Sequence, residues 1–407
     1  MSDSLLAHLR DALGADAIER DPQGLPRAVP DSTDAVAQVV GLAHEHGWKL
    51  RVEGRGTWFP ADAPADLALS TRALDAVEFV SPADLVAGMK AGMPLELLRR
   101  RLGDDGMWLA LDPPGRPERS IGSVLATATA GPLRQGFGPV RDHVLGLTVV
   151  TGEGRVVRPG GRVVKNVAGF DLTKLQVGGF GAFGIITECT LRLRAVPRAD
   201  RTLIARGPRD HLTSLARALT AARLSLSTLE LFSPAIAAES DWVLAVRLLG
   251  TDEGVLAETG RLEAASDLPW SPLSHERAAS FWHLAARAVL GGLVTLRLGA
   301  LQDGLDDTLD LVAGVLDEGL VTAGAGSTGG IRWSGEANVA ALRSLRRSAA
   351  AREIPITLER APWDLRHALG HFGAYREGVS QLVGRLRGTF DPSGVLSVAL
   401  EAEPDGR

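Results

Sequence analysis

The stretch that most constrains the fold is a glycine-rich run between Gly161 and Glu188. Its sequence is GRVVKNVAGFDLTKLQVGGFGAFGIITE, and with Gly160 it places seven glycines around one short helical pattern, Asp171 to Val177. Glycine inside or beside regular structure costs roughly 0.5–1 kcal/mol relative to alanine. A cluster this dense predicts backbone in unusual conformations, or backbone that lies against something bulky, such as a large, flat, phosphate-bearing cofactor.

The length, composition and charge of the chain limit the class of protein to which it can belong. A chain of 407 residues is long for one hydrophobic core, so we expect two domains. Hydrophobic residues make up 45% and charged residues 23%, the balance of an ordinary soluble globular protein. The net charge of −5 offers no electrostatic surface for nucleic acid or for an anionic membrane, so neither is expected as a partner.

The N-terminal segment and the lengths of the apolar runs indicate the cellular compartment in which the protein is expected. The segment MSDSLLAHLRDALGAD has the pattern of a charged amphipathic helix and lacks the apolar core of a signal peptide. No run of about 18 apolar residues occurs, so no direct membrane span is expected. These patterns predict a cytoplasmic protein.

The single cysteine, Cys189, limits the redox chemistry of the chain. One thiol excludes an internal disulfide, and it excludes an iron–sulfur cluster held by this chain alone, which needs about four thiolates. Cys189 lies in a strand-like alternation, where a buried small hydrophobe is expected rather than a reactive thiol.

A first candidate anion site follows an early strand. A hydroxyl or carboxylate side chain of Asp31, Ser32 or Thr33 caps a helical apolar stripe that stops at Gly47, and a strand follows at 49–52. That strand runs into Gly54-Arg55-Gly56-Thr57, a sequence whose backbone N–H groups can turn inward to form an anion nest. A plain turn is the alternative, because short glycine motifs are unspecific.

A second candidate site lies at a short helix. The loop around Pro114 and Gly115 precedes Ser120, a good N-cap, and the first-turn N–H groups of the helix it begins are expected to face outward as a phosphate seat. A capped buried helix is the alternative. Further on, the run 144–150 pairs with 155–157 in a predicted hairpin.

Five motifs then occur in a recognisable order: VEGRGT, LDPPG, SIGSVLATATAG, GPLRQGFGPVRDHVLG and VVTGEGRVVRPGGRVVKNVAGFDLTKLQVGGFGAFGIITE. This order resembles the FAD domain of the p-cresol methylhydroxylase and vanillyl-alcohol oxidase flavoproteins (PCMH type). Within that superfamily the segment KNVAGFDLTKLQVG is most similar to the FAD-binding subunits of bacterial glycolate oxidases. The match spans roughly residues 10 to 198, with a weaker echo at 389–396.

The resemblance implies an α+β fold: a two-part PCMH-type FAD-binding domain with FAD laid between its halves, followed by an α/β cap. The implied domains are residues 1–198, a cap at 199–388 and a tail at 389–407 that returns to the FAD domain. Many family members carry asparagine near Ala128, and a third glycine where Arg55 stands. The implied cofactor-binding residues are Gly54, Arg55, Gly56, Thr57, Pro114, Gly115, Ser120, Ile121, Gly122, Ser123, Gly131, Arg134, Lys165, Asn166, Val167, Ala168, Gly169, Asp171, Gly184 and Ile186.

The segment after residue 198 alternates helix and strand patterns, which favours a ferredoxin-like antiparallel sheet with helices on one face. It contains no Gly-x-Gly-x-x-Gly between strand and helix, so no second dinucleotide site is expected. It also lacks the His-x-Gly-Asp-Gly-Asn-x-His strand of catalytic relatives. The catalytic residues are therefore unknown, and a structural or surface role is open for each of the cap candidates His275, His283, Glu359, Arg360, His367 and His371.

Three functions stay open at this point. The resemblance implies an FAD-binding subunit of a glycolate oxidase (dehydrogenase) type complex that oxidises a 2-hydroxy acid to a 2-oxo acid. Its implied partners are a second FAD-containing subunit and an iron–sulfur subunit, with peripheral attachment to the inner membrane through the complex. The alternatives are a self-sufficient FAD-dependent oxidoreductase on another alcohol and a structural subunit that has lost catalysis. FAD is expected to be non-covalent, because Trp58 rather than histidine or cysteine follows the first loop. No metal site is expected.

Overall fold

The computed structural model describes residues 2–162, 171–237, 240–326, 329–373 and 378–396. A four-stranded and a five-stranded sheet lie in the N-terminal half, and an eight-stranded sheet lies in the C-terminal half. Within the described ranges, none of the helices is long and apolar enough to cross a membrane. The mixed α+β class expected from the sequence is confirmed.

The first sheet and its helices open the chain: α1 (Ser2–Leu13), β1 (Ile18–Arg20), β2 (Pro26–Ala28), α2 (Thr33–His46), β3 (Leu50–Glu53) and β4 (Leu67–Ser70). The spatial order is β1-β2-β4-β3, and β4 is parallel to both β2 and β3. Ser32 caps α2 by accepting from the Ala35 N–H, and Gly47 ends it with φ of 71°. The predicted limits of this helix are confirmed.

A second, five-stranded sheet follows with its helices and with a separate pair of strands: β5 (Val77–Ser81), β6 (Val86–Lys90), α3 (Leu95–Gly103), β7 (Met107–Trp108), α4 (Ile121–Thr127), α5 (Arg134–Phe137), β8 (Val144–Val150), β9 (Val156–Val157), α6 (Leu172–Gln176), β10 (Ile185–Arg192) and β11 (Arg194–Ala195). The separate pair is β7 and β11, which form a two-stranded sheet of their own. The five-stranded sheet has the order β5-β6-β10-β8-β9, with antiparallel pairs throughout. The hairpin predicted from β8 and β9 is confirmed. Cys189 lies on β10 and is 2% exposed, and burial raises the pKa of its thiol, so it packs as a hydrophobe.

The C-terminal half is the cap: β12 (Ala199–Gly207), α7 (Arg209–Ala221), β13 (Thr228–Phe232), α8 (Pro234–Ala237), β14 (Trp242–Gly250), α9 (Asp252–Ala264), β15 (Ser271–Pro272), α10 (His275–Ala288), β16 (Val294–Leu298), α11 (Leu305–Ala313), β17 (Leu320–Gly324), β18 (Gly330–Gly335), α12 (Val339–Ala350) and β19 (Ile356–Arg360). Its sheet has the order β15-β12-β14-β13-β17-β18-β16-β19. Each half of that order is a β-α-β-β-α-β unit with strands in the order 4-1-3-2, which is the ferredoxin-like arrangement. The two units join where β13 pairs with β17.

The two faces of the cap sheet differ. Leucines on β13 and β14, such as Leu231 and Leu244, pack with α7, α9, α11 and α12 in one core. On the opposite face Phe232 and Val243 pack with α10. Ile236 of α8 packs there too, so the predicted placement of helices on one face is correct for α7, α9, α11 and α12 and wrong for α8 and α10. Strand alternation sends the remaining side chains of that opposite face, most of them polar, toward the first domain.

The end of the chain packs on the first domain after α13 (Trp363–Leu369) and α14 (Val379–Phe390). The sequence pattern predicts helix throughout residues 361–387, but this run is divided, because Gly370 ends α13 with φ of 70°. The Leu50 N–H donates to the Val395 carbonyl at 2.8 Å, and Leu50 bridges Leu396. The tail thus extends the edge of the first sheet, while the boundaries 1–198, 199–388 and 389–407 stay predictions.

The glycine-rich stretch is explained largely by contacts within the chain. Residues 163–170 lie outside the described ranges. A Cβ on Gly160 would lie 2.2 Å from the Leu145 carbonyl oxygen, and one on Gly184 would lie 2.5 Å from Val149 Cγ1. Gly178 and Gly181 have φ of 85° and 81°. Close strand packing and left-handed turns therefore account for most of these glycines.

Candidate cofactor site and the domain junction

A cleft of about 1120 Å³ opens between the two sheets of the first domain and the cap. One wall is the loop after β3, with Gly54, Arg55, Gly56 and Thr57; the others come from α4 and from the turn before β10. Eight of the predicted cofactor-binding residues line the cleft: Gly54, Arg55, Gly56, Thr57, Gly122, Ser123, Gly184 and Ile186.

The loop after β3 has the backbone that a close ligand requires. Gly56 has φ of +67°, and a Cβ built on it meets nothing within 4 Å, so it faces open space. Gly54 lies against Ser120, since a Cβ there would lie 2.3 Å from the serine Oγ. Arg55 donates to the Arg72 carbonyl at 3.1 Å, which ties its side chain to the neighbouring turn. The loop is thus held from its sides with Gly56 free toward the cleft.

The prediction for the start of α4 is wrong in one respect. Ser120 does cap the helix, by accepting from the Ser123 N–H. The N–H groups of Ile121 and Gly122 do not face outward, because they donate to the carbonyls of Met93 and Ala91 at 2.9 and 2.7 Å. Ile121 is fully buried and Ser120 is 1% exposed. Of this helix, the backbone and side chains at 122, 123, 126 and 127 line the cleft.

The other predicted cofactor-binding residues lie elsewhere. Pro114, Gly131 and Arg134 line smaller cavities between the first domain and the cap. The Gly115 N–H donates to the Ala286 carbonyl of α10 at 2.8 Å, so this glycine belongs to the domain junction. Asp171 is exposed and caps α6 by accepting from the Lys174 N–H. Lys165, Asn166, Val167, Ala168 and Gly169 lie outside the described residues.

His371 forms the aromatic end of the cleft. Its ring stacks on Phe180 with a centroid distance of 4.3 Å, and Phe59 lies 5.4 Å away. Its Nδ1 is 3.0 Å from the Leu358 carbonyl oxygen, so Nδ1 carries the proton. Burial lowers the pKa of His371 to about 4, which keeps the imidazole neutral at pH 7 and leaves Nε2 as an acceptor. Of the cap candidates, His371 lines the cleft.

Four of the other cap candidates are exposed or make contacts outside the cleft. His275 and His283 are exposed on α10. His367 stacks on Trp363 with a centroid distance of 5.5 Å. Arg360 donates through Nε to the Trp58 carbonyl at 3.1 Å, which joins the last cap strand to the loop after β3. These four side chains therefore carry no candidate chemistry in this structure.

Glu359 is a fully buried carboxylate at the domain junction. It pairs with Arg332 at 2.7 Å and with Arg297 at 2.9 Å. Burial alone raises its pKa, but the two guanidinium groups outweigh burial and lower the pKa of Glu359 overall. Arg332 also donates to the Ala130 carbonyl at 3.2 Å. The pair therefore anchors the cap sheet to the first domain in an ionised state.

Two further carboxyl groups at the domain junction were not predicted from the sequence. Asp112 begins the loop that contains Pro114 and Gly115 in the first domain, and Glu230 lies on β13. Burial raises the pKa of Asp112 to about 7 and that of Glu230 to about 8. Both line one cavity with Arg332. For Glu230 the sequence carries a trace: on β13 it is the single charged residue and alternates with Leu229 and Leu231.

The cleft fits a long, flat, phosphate-bearing group such as FAD. The open space at Gly56 allows backbone N–H groups of the loop to approach a phosphate. Thr57 and Ser123 add hydroxyl groups to the lining. The other end is aromatic and apolar, with Phe59, Phe180 and neutral His371. A polar loop at one end and an aromatic surface at the other match the two chemical parts of a flavin dinucleotide.

Comparison with known proteins agrees with this geometry. Residues 26–160 match the family model described as FAD binding domain. Over 123 residues the chain is 41% identical to glycolate oxidase subunit GlcE of Escherichia coli, covering 30% of this chain and 35% of that protein. It is 30% identical over 188 residues to glycolate oxidase subunit GlcD of Bacillus subtilis, covering 45% and 40% of the two chains.

A third relative, D-2-hydroxyglutarate dehydrogenase of Xanthomonas citri, is 31% identical over 215 residues, covering 52% of this chain and 46% of that protein. The matches span less than half the length of these three curated relatives. Among solved structures, 4-ethylphenol oxidase from Gulosibacter chungangensis superposes with a TM-score of 0.76 at 13% identity, covering 97% of this chain and 95% of that one. p-Cresol methylhydroxylase gives 0.76 at 12%, with the same coverage. These two likenesses show a common fold.

Proposed function

We propose that this chain, which carries an FAD-binding domain in residues 26–160, holds FAD non-covalently in the cleft and serves as a subunit of a complex that oxidises a 2-hydroxy acid. The observation that carries the proposal is the cleft itself, in which the loop Gly54 to Thr57 and the aromatic end at His371 face one cavity. When bound, FAD supplies the two-electron oxidation that turns a 2-hydroxy acid into a 2-oxo acid.

Different residues of the chain would hold different parts of FAD. The backbone of Gly54 to Thr57 would hold the pyrophosphate, and Gly56 would allow its close approach. Ser123 would add a hydroxyl donor from α4. His371, neutral at pH 7, would offer Nε2 as a hydrogen-bond acceptor from a polar group at the aromatic end. The fixed Nδ1 contact to Leu358 would hold the ring in place.

The substrate class is supported by the relatives. Two of them are named glycolate oxidase subunits, and a third is named a D-2-hydroxyglutarate dehydrogenase. All three names describe oxidation of 2-hydroxy acids. We therefore assign this chain the same substrate class, with glycolate as the first compound to test.

The word subunit in two of these names supports a multisubunit complex. In our proposal the partners are a second flavin-containing subunit and an iron–sulfur subunit, since the single buried Cys189 cannot hold a cluster. In the same proposal the chain lies in the cytoplasm and is attached to the inner membrane only through its partners. Electron transfer out of the flavin then depends on those partners.

Two measurements test the proposal. The purified chain should show a flavin absorption spectrum, and a colourless chain that does not take up added FAD would support a purely structural subunit instead. Dye reduction by glycolate should be slow for the chain alone and fast for the co-expressed complex. Fast turnover by the single chain would replace the subunit proposal with an independent oxidoreductase.

A further inference from the structure

Charged side chains reach the cleft from both halves of the chain. In the N-terminal half, Arg51 and Glu53 lie on β3 and Arg55 lies in the loop that follows it. From the C-terminal half, Arg366 of α13 lines the same cleft, and its side chain is 7% exposed. Sequence reasoning pointed to Arg55 as a cofactor-binding residue but not to Arg366. The role of this second arginine is therefore open.

The N-terminal charges of the lining are mostly engaged with one another and with neighbouring strands. Arg51 pairs with Asp21, and Glu53 pairs with Arg27 at 2.7 Å. Arg55 donates to two backbone carbonyls and has no ion pair among the described residues. An anion in the cleft would therefore find Arg55 without a carboxylate partner, whereas Arg51 and Glu53 already belong to an ionic network.

Three contacts hold the guanidinium of Arg366 in place. Its Nε donates to the Ala361 carbonyl at 2.8 Å, and its Nη2 donates to Asp62 Oδ1 at 2.7 Å. Its Cζ lies 4.9 Å from the centroid of the Phe59 ring. Nη1 has no hydrogen-bond partner among the described residues. Two N–H groups of a fixed guanidinium are therefore available to a ligand in the cleft.

Arg366 keeps its charge in this position. Burial lowers the pKa of its guanidinium, and the Asp62 carboxylate opposes that effect, so Arg366 is a cation at pH 7. Asp62 itself is not part of the cleft lining. Its Oδ2 accepts from the Trp363 N–H at the start of α13. Asp62 thus fastens both the helix and the guanidinium from outside the cleft.

The position of Arg366 suits the middle of a dinucleotide. Phe59, which lies under the guanidinium, comes two residues after Thr57 of the polar loop and 5.4 Å from the His371 ring of the aromatic end. Arg366 is also close enough to His371 to add to the effect of burial in lowering the pKa of that histidine. The pyrophosphate of FAD joins its two flat ring systems, and arginine binds phosphate oxygens with strong, charge-assisted hydrogen bonds.

We propose that Arg366 binds the pyrophosphate of FAD through Nη1, while Asp62 holds the guanidinium from outside the cleft. The inference rests on the proposed function above, which puts FAD in this cleft. Its new content is a phosphate-binding residue from the C-terminal segment of the chain. One consequence follows for the fold: bound FAD joins α13 to the loop Gly54 to Thr57.

Two substitutions at one ion pair separate this role from a structural one. Arg366→Gln removes the cation, and the affinity of the full, flavin-free chain for FAD should fall at least tenfold, measured by the quenching of flavin fluorescence. Asp62→Asn breaks the same ion pair but keeps a carbonyl acceptor for the Trp363 N–H and leaves the cation at the cleft. This variant should bind FAD at least as tightly as the wild type. Equal weakening in both variants would show that Arg366 only anchors α13, and wild-type affinity in Arg366→Gln would overturn the proposal.

Fragments of the cofactor locate the effect. ADP carries a pyrophosphate without the flavin, and riboflavin carries the flavin without a phosphate. Arg366→Gln should lower the affinity for ADP by about the same factor as for FAD and leave the affinity for riboflavin unchanged. A loss confined to riboflavin would mean that Arg366 acts by supporting the Phe59 ring, and it would contradict phosphate binding.

Hydrogen exchange gives a readout that needs no substitution. FAD added to the wild-type chain should slow backbone amide exchange in α13 and leave α9, which is outside the cleft lining, unchanged. Unchanged exchange in α13 would overturn the joining of this helix to the cofactor loop. FAD binding that does not depend on Arg366 overturns this inference alone, whereas a wild-type chain that binds neither FAD nor ADP overturns the proposed function.

Discussion

The guanidinium carbon of Arg119 lies 3.7 Å from the centroid of the Trp58 indole, and the same indole donates through Nε1 to the Glu359 carbonyl oxygen at 3.0 Å. Arg119 is fully buried and donates to the Pro114 carbonyl and the Thr127 hydroxyl at 2.8 and 2.7 Å. Burial lowers its pKa to about 9, so it is a cation at pH 7. This stack joins α4, the loop after β3 and the last cap strand.

Trp58→Phe should therefore destabilise the chain. The substitution keeps a ring under Arg119 but leaves the Glu359 carbonyl without this donor, at a cost of about 1–3 kcal/mol. Trp270→Phe is the matched control, because the buried Trp270 N–H has no partner among the described residues. Urea unfolding should show a lower midpoint for Trp58→Phe and little change for the control. Equal midpoints would mean that the indole N–H does not hold the junction.

Much of the fold could be predicted from local patterns. The polar cap before α2, the end of that helix at Gly47 and the hairpin at 144–157 each depend on residues close in sequence, and each is confirmed. The N–H groups at the start of α4 were predicted wrongly for a non-local reason. Their acceptors, Ala91 and Met93, come from the loop after β6 about 30 residues earlier, and no local pattern shows that approach.

For the candidate site, too, local features could be predicted from the sequence and non-local ones could not. The loop Gly54 to Thr57 was found from its glycines because a positive φ leaves a trace in the residue type. Asp112 and Glu230 were missed because their chemistry arises only when the cap sheet packs against the first domain. The pKa of a carboxyl depends on that burial and on neighbouring charges from other elements. Sequence alternation places Glu230 on a face but does not show what covers it.

Ala128 gives a prediction on stability. It follows α4 with φ of 48°, a left-handed conformation that costs a residue with a Cβ roughly 1–2 kcal/mol. Asparagine tolerates that conformation better than most residues with a Cβ. Ala128→Gly should raise the free energy of unfolding measured in urea, by up to about 1 kcal/mol once the added freedom of the unfolded chain is subtracted. Ala126→Gly, inside the same helix, should lower it by about 1 kcal/mol. A fall in both variants would show that the left-handed strain is absent.

His371 gives a prediction on pH. Its pKa is about 4 in the folded chain against 6.5 when unperturbed, so the unfolded state binds the extra proton between those values. The contribution of His371 to the free energy of unfolding is therefore present above about pH 6.5 and is lost as pH falls toward 4. The loss amounts to up to about 3 kcal/mol, because each pKa unit corresponds to about 1.36 kcal/mol. His371→Gln should flatten the unfolding free energy across this window. An unchanged slope in the variant would place the histidine in water instead.

Gly56 gives a prediction on cofactor binding. Gly56→Val adds strain of about 1–3 kcal/mol at φ of +67° and fills the open space toward the cleft, so flavin should be lost. Gly47→Val adds comparable strain at φ of +71°, at the end of α2 and outside the cleft lining, and should keep its flavin. Stoichiometric FAD in folded Gly56→Val would make this glycine a turn residue and no more. Gly169→Val is also expected to abolish flavin binding, and Gly169 lies outside the described residues.

The most direct test of the account is the flavin content of the purified full chain before and after acid precipitation. Non-covalent binding in the cleft predicts one FAD per chain, all of it released into the supernatant. Flavin that stays with the pellet would contradict non-covalent binding, and its release by His371→Ala would identify the attachment point, since His371 lines the cleft. A chain with no flavin, and none taken up from added FAD, would contradict the central claim that the cleft is a cofactor site.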